Sequence, residues 1–166
     1  MKQNALFCAA VGVLTFACVL PAAAEDGRMD FNGGIGSQPF ASGTGGVPVP
    51  NDVRGIAPGG RPWVIGRLRA TVRPDGDISV KGEGLVLAGG DSVGRPALPR
   101  QVVATLLCGA AQFTSPPVDL DASGNFVIQG ALPGVLPNPC DTPTLLIRNF
   151  SAGAANAWFA AGIPEN

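Results

Sequence analysis

Punctuation limits this fold before anything else does. From Arg61 onward, short runs rich in valine, leucine and isoleucine are each closed by proline, glycine, aspartate or asparagine, and no segment keeps a helical period. The chain carries 24 glycines and 16 prolines in 166 residues, a density at which helix interiors are repeatedly destabilised. Runs of this kind read as strands separated by turns. The clearest pair is "WVIGRLRATV", which leads through "RPDGD" into "ISVKGEGLVL", with Pro74, Asp75 and Gly76 supplying the turn. In its second strand Ile78, Val80 and Val86 share one face, with Ser79, Lys81 and Glu83 opposite. Further strands are predicted at residues 101–108, 113–120, 126–132, 144–150 and 157–163. About seven short strands at this spacing predict an all-β fold: an antiparallel β-sandwich of immunoglobulin-like architecture spanning residues 61–166. Trp63 precedes both remaining cysteines, so the immunoglobulin Cys-Trp-Cys spacing is absent.

Two segments precede that domain. Residues 1–24 have one charge, Lys2, an apolar run from Ala5 to Leu20, then Pro21 and Ala22-Ala23-Ala24 before Glu25, the layout of a cleaved secretory signal peptide. The alternatives are a membrane span over residues 5–24 and a lipid anchor at Cys18. Pro21, the Ala-x-Ala ending and the lack of a basic flank weigh against the first, and Thr15 three residues before Cys18 against the second. Residues 25–60 are dense in glycine and proline without any period, and so read as a disordered, flexible leader.

Export settles how the cysteines are read. Cys8 and Cys18 leave with the signal, so Cys108 and Cys140 remain as a pair in an oxidising compartment, and a disulfide is expected. If the strands alternate in direction, Cys108 ends one strand and Cys140 lies in the "PGVLPNPCDTP" loop at the same end, so the two can meet. Two thiols without histidine make no usual zinc site, and their spacing is no C-x-x-C redox motif.

Composition narrows the chemistry. The chain has no histidine and no tyrosine, which removes Ser-His-Asp and Cys-His triads and imidazole acid–base catalysis. A formal net charge of −1 becomes one unit more negative without Lys2 and offers no polybasic face for nucleic acid. Carboxylate-pair chemistry remains formally open, although most of the acids, Asp75, Asp77, Glu83, Asp91, Asp119, Asp121 and Asp141, read as turn residues. "DLDASGNF" resembles the start of an EF-hand loop and makes Asp119, Asp121 and Ser123 a weak calcium candidate. The position of the loop's bidentate glutamate is Gly130. The competing reading is a hairpin turn with Gly124 at positive φ. "NFS" at Asn149 is a glycosylation sequon if the source modifies exported chains.

One strand refuses to alternate. "QVVATLLC" puts Val102, Ala104, Leu106 and Cys108 on one face, yet Val103 and Leu107 on the other. Leu85 and Leu87 break the pattern of their strand similarly. Val103, Leu107, Leu85 and Leu87 therefore form either a candidate binding face or a surface covered from within the chain, by the leader folding back or by the "AGGDSVGRPALP" loop.

The Gly/Pro leader, "GGRPWVI", two cysteines about thirty residues apart and the closing "WFAAG" together resemble small uncharacterised secreted bacterial proteins with an all-β domain, over residues 47–166. The resemblance implies the fold class and no activity. The expected function is a secreted or periplasmic, non-enzymatic β-sandwich module. It would bind an unknown protein or surface polymer, self-associate, or form part of a cell-envelope assembly. No cofactor, nucleic acid or membrane span after signal cleavage is expected. The alternatives are a small extracellular hydrolase or lyase using paired carboxylates, and a calcium-stabilised extracellular module.

Overall fold

The structure, a computed structural model of the chain, describes residues 27–97 and 100–165; the predicted signal peptide lies outside them. The described strands are β1 (Met29–Gly36), β2 (Phe40–Ser42), β3 (Pro48–Pro50), β4 (Trp63–Val64), β5 (Arg67–Val72), β6 (Asp77–Glu83), β7 (Val86–Leu87), β8 (Gln101–Cys108), β9 (Ala111–Thr114), β10 (Val118–Asp119), β11 (Phe126–Ala131), β12 (Thr144–Ser151) and β13 (Ala154–Pro164). Nine of them form one antiparallel sheet in the order β10-β8-β12-β13-β1-β5-β6-β11, with β9 beside β10 on the same edge of β8. Two small sheets, β2–β3 and β4–β7, complete the set.

The fold is thus all-β and antiparallel, but the expected seven-strand sandwich of two facing sheets is not its form. The single sheet curls into a half-barrel. Its inward residues, among them Phe31, Leu68, Val72, Ile78, Val80, Leu106, Ile128, Leu145 and Ile147, belong to one buried cluster. Strands near opposite ends of the sheet order share that core, as Leu106 on β8 and Ile128 on β11 show. Curling a long twisted sheet gives a single sheet an interior to fill, as a second sheet would in a sandwich.

The edge at β9–β10 is broken by Pro116 and Pro117, which have no N–H to offer a ladder. Ser115 repairs the gap. Its Oγ accepts the Ala104 N–H at 3.0 Å and donates to the Pro116 carbonyl at 3.0 Å, while its N–H reaches the Ala104 carbonyl at 2.9 Å. Short, proline-broken edges are poor templates for pairing with another chain.

The predicted long hairpin is present but bent. β5 and β6 pair from Val72↔Ile78 to Arg67↔Glu83, and beyond Gly66 and Gly84 the same two chains re-pair as β4–β7, with Trp63 opposite Leu87. Gly84 adopts φ +67, a conformation open mainly to glycine, and the interruption shifts the in–out parity. Leu85 and Leu87 consequently turn into the core, whereas Val86, expected beside Ile78 and Val80, is only half-buried.

Residues 25–60 are corrected most. Met29–Gly36 is a strand in the middle of the sheet, paired with β13 on one side and β5 on the other, instead of part of a disordered leader. Residues 51–59 then lie across the outer face of β8, β12 and β13. Val53 bridges Ile56, Pro58 bridges Trp158, and the Trp158 backbone exchanges hydrogen bonds with Ala57 and Gly59 at 3.0 and 2.9 Å. Ile56, Leu107, Leu146 and Trp158 make a second buried cluster there. Arg54 fastens the same segment by donating from Nη1 to the Gly109 carbonyl at 3.0 Å and from Nη2 to Thr142 Oγ1 at 2.7 Å.

Cys108 and Cys140 are disulfide-bonded with their α-carbons 4.9 Å apart, inside the roughly 4.4–6.8 Å that such a link spans. The bond ties the end of β8 to the loop entering β12, its neighbour in the sheet. Replacing Cys140 by serine is expected to lower unfolding free energy by about 3–4 kcal/mol, the chain-entropy value for a loop of this size. Urea denaturation measures it. A loss below about 1 kcal/mol would mean that residual structure in the unfolded chain already restrains the 32-residue separation.

Candidate functional site

The four residues proposed as a binding face are all inside. Leu85 and Val103 are 0% exposed, Leu107 1% and Leu87 3%. Residues 51–59 cover the Leu107 side, which was the intramolecular alternative, while Leu85 and Leu87 enter the main core. The two carboxylates among the calcium candidates are engaged by different protein donors. Asp121 Oδ1 accepts the Ser123 and Asn125 backbone N–H groups, each at 2.8 Å, and Oδ2 accepts Asn125 Nδ2 at 3.0 Å. Asp119 instead accepts Gln101 Nε2 at 3.0 Å. Among the described residues no group of three or more histidine, cysteine, aspartate or glutamate side chains is placed to hold a metal.

Several carboxylates are engaged by neighbouring cations. Asp77 pairs with Arg73 at 3.1 Å, Glu83 with Lys81 at 2.8 Å, and Asp30 with Arg28 at 2.7 Å. Three are shifted, and all three downward. Asp30 is lowered first by its hydrogen bond from Arg28, Glu83 by that from Lys81, and Asp121 by the Asn125 backbone N–H. That direction is opposite to the one a general acid needs.

The built site lies elsewhere, where β4 meets β13. Trp63 and Phe159 stack with ring centroids 4.1 Å apart and an interplanar angle of 23°. Ser37 couples their strands: its N–H donates to the Phe159 carbonyl and its carbonyl accepts the Trp63 N–H, both at 2.8 Å. Gly59 passes so close that a β-carbon there would stand 2.9 Å from Phe159 Cε1 and from Trp63 Nε1. Only glycine lets the covering segment run past the stacked rings.

Over this pair lies Arg100, at the start of β8, its guanidinium carbon 5.0 Å from the Phe159 centroid and 5.4 Å from that of Trp63, within cation–π range. Nη1 donates to Asn149 Oδ1 at 2.7 Å and Nε to the Ala97 carbonyl at 3.3 Å. Ala97 holds φ +56, uncommon outside glycine. Asn149 passes the network on, its Nδ2 donating to Ser151 Oγ at 3.1 Å. The sequon asparagine is thus half-buried in a pocket wall. Burial lowers the Arg100 pKa from its ordinary value, the sign of a charge held partly out of water.

These groups line a cavity of about 470 Å³, completed by Gly60, Arg61, Leu87 and Ala157. The cavity carries two guanidinium groups and no carboxylate among its described lining residues. Arg61 is exposed and, among the described residues, has neither a hydrogen bond nor an ion pair. A neighbouring depression on the far side of Arg100 and Asn149 contains Asp119, already bonded to Gln101. Of the four residues first singled out, Leu87 alone reaches the pocket. Trp63 and Phe159 stood in the two aromatic stretches noted in the sequence, but nothing marked Arg100 or Asn149 as their partners: Arg100 is far from both rings in the chain, and Asn149 drew notice only as a sequon.

Comparison with protein-family models, curated protein sequences and solved structures finds no match for this chain.

Proposed function

We propose that the protein is a secreted or periplasmic, non-enzymatic binding module, and that the pocket between β4 and β13 is where it binds. The carrying observation is that pocket's lining: apolar walls, two arginines and no acid–base pair. A concave apolar site with a few converging polar groups is the usual form of a small-ligand site. The disulfide fits an oxidising compartment, and among the described residues no helix is long and apolar enough to cross a membrane. Burial of the first-considered apolar face removes the main support for its use as an assembly surface.

A thermal-shift screen of the exported protein against small acids, alcohols, amines and sugars tests the reading. Ligand at about a hundred times its dissociation constant adds about 2.7 kcal/mol of stability, an easily read shift. Filling the cavity with Ala157→Trp is expected to abolish that shift. A shift that survives Ala157→Trp would move the site elsewhere, and silence across every class would remove the reading. A second reading, membership of an envelope assembly, draws on the β2–β3 hairpin, where Phe40 is 64% and Val47 63% exposed. Self-association lost on Phe40→Ser, followed by sedimentation velocity, would favour that reading over the pocket.

A further inference from the structure

We infer that the pocket's ligand is a small organic monocarboxylate, its carboxylate held at Arg100 and Arg61 and its apolar body against Leu87 and Ala157; this rests on the reading that the pocket is a binding site. Arg100 is the reason. Its charge is partly withdrawn from water, yet the acceptors it meets, Asn149 Oδ1 and the Ala97 carbonyl, are neutral. Charges removed from water are ordinarily paired, since hydrogen bonds to neutral groups leave part of the desolvation cost uncompensated. Among the described residues no carboxylate is hydrogen-bonded to Arg100, Asp119 nearby being engaged by Gln101, and an anion would bring the missing partner.

Geometry narrows the anion. One face of the guanidinium lies over the Trp63–Phe159 pair, and Nε and Nη1 are engaged with protein acceptors. Among the described residues the Nη2 edge has no hydrogen bond, and the fork geometry of arginine suits a planar carboxylate. Arg61 adds a second cation at the rim. A phosphoryl dianion is the poorer fit. Its extra charge would crowd against Asn149 Oδ1 and the Ala97 carbonyl, and among the described lining residues there is no helix N-terminus to receive it. At about 470 Å³ the cavity is within the roughly 300–1,000 Å³ range of small-molecule sites, and Leu87 and Ala157 give its wall an apolar surface for the rest of the ligand.

Isothermal titration of the exported, disulfide-bonded protein with hexanoate, 1-hexanol and inorganic phosphate tests this. Hexanoate is expected to bind at least about ten times more tightly than hexanol, and phosphate more weakly than hexanoate. Arg100→Gln should remove most of the preference for hexanoate over hexanol. Arg61→Gln, at an exposed position, should weaken hexanoate several-fold without touching the fold, which keeps the test decisive if Arg100→Gln does not fold. Equal binding of hexanol and hexanoate would overturn the carboxylate inference while leaving the pocket as a binding site. Tighter binding of phosphate would overturn it in favour of a phosphoryl ligand. Absence of binding by all three, with no class active in the thermal screen, would overturn both.

Discussion

A chain that begins at residue 61 is expected to be unfolded. The truncation removes β1 from the middle of the sheet, leaving β5 and β13 with unpaired inner edges, and takes Phe31 out of the main core. It also strips residues 51–59 from the outer face, exposing Leu107, Leu146 and Trp158. Burying one large apolar side chain is worth about 1.5–3 kcal/mol, and a domain this size is stable by only about 5–15 kcal/mol. Losing Phe31, Ile56 and two strand ladders together is comparable with that whole margin. Circular dichroism and one-dimensional proton NMR will show loss of strand signal and of dispersed resonances. Addition of a peptide covering residues 27–60 is expected to restore both, because the missing strand has a defined slot between two antiparallel neighbours. A folded, monomeric chain starting at residue 61 would mean that the sheet closes without β1.

Trp158→Ala is expected to cost about 3–5 kcal/mol, the range for truncating a buried aromatic. Trp158 is buried against Ile56, Leu107 and Leu146, and its Nε1 donates to the Asn51 carbonyl at 3.3 Å. Removing the indole releases the far end of the covering segment while leaving the backbone bridge to Pro58 in place. Residues 51–59 should therefore become a site of early proteolysis in the variant. Trp158→Phe keeps most of the apolar area and loses the N–H bond, so its cost should be about 1–2 kcal/mol. Urea denaturation of the three proteins resolves the order. Equal stability of the alanine variant and the parent would deny that the outer cluster holds the segment down.

Strands β8, β11 and β12 were legible because each carries a dense apolar run bounded by turn residues, and the disulfide because the expected signal cleavage would leave two cysteines. β1 was not. In "MDFNGGIG" Phe31 alone is buried, and the register slips between Phe31 and Gly34. Its place in the sheet is secured by backbone pairing on both edges and by close packing of neighbours, since a β-carbon on Gly34 would stand 2.7 Å from Ile65 Cγ2. Such a strand lacks the alternation from which strands are read. Parity was lost at Gly84 for a similar reason, as one glycine at positive φ exchanges the faces of Leu85 and Val86. The unalternating β8 left a binding face and a cover from within the chain both open, and residues 51–59 lie over its Leu107 side. The pocket was the least legible feature, because it joins residues from Gly59 to Phe159 that meet only once the sheet has curled.

The same segment that holds the sheet together also frames the candidate site, through Gly59, Gly60 and Arg61, so the account depends on residues 29–60 being structure. Hydrogen exchange of the disulfide-bonded protein, read by mass spectrometry or NMR, shows whether they are. Amides across Met29–Gly36 are predicted to exchange as slowly as those of β5 and β13, through global unfolding, while the exposed β2–β3 hairpin exchanges fast and serves as the internal control. Exchange of Met29–Gly36 at the rate of that hairpin would contradict the central strand, and with it the covered outer face and the pocket built upon it.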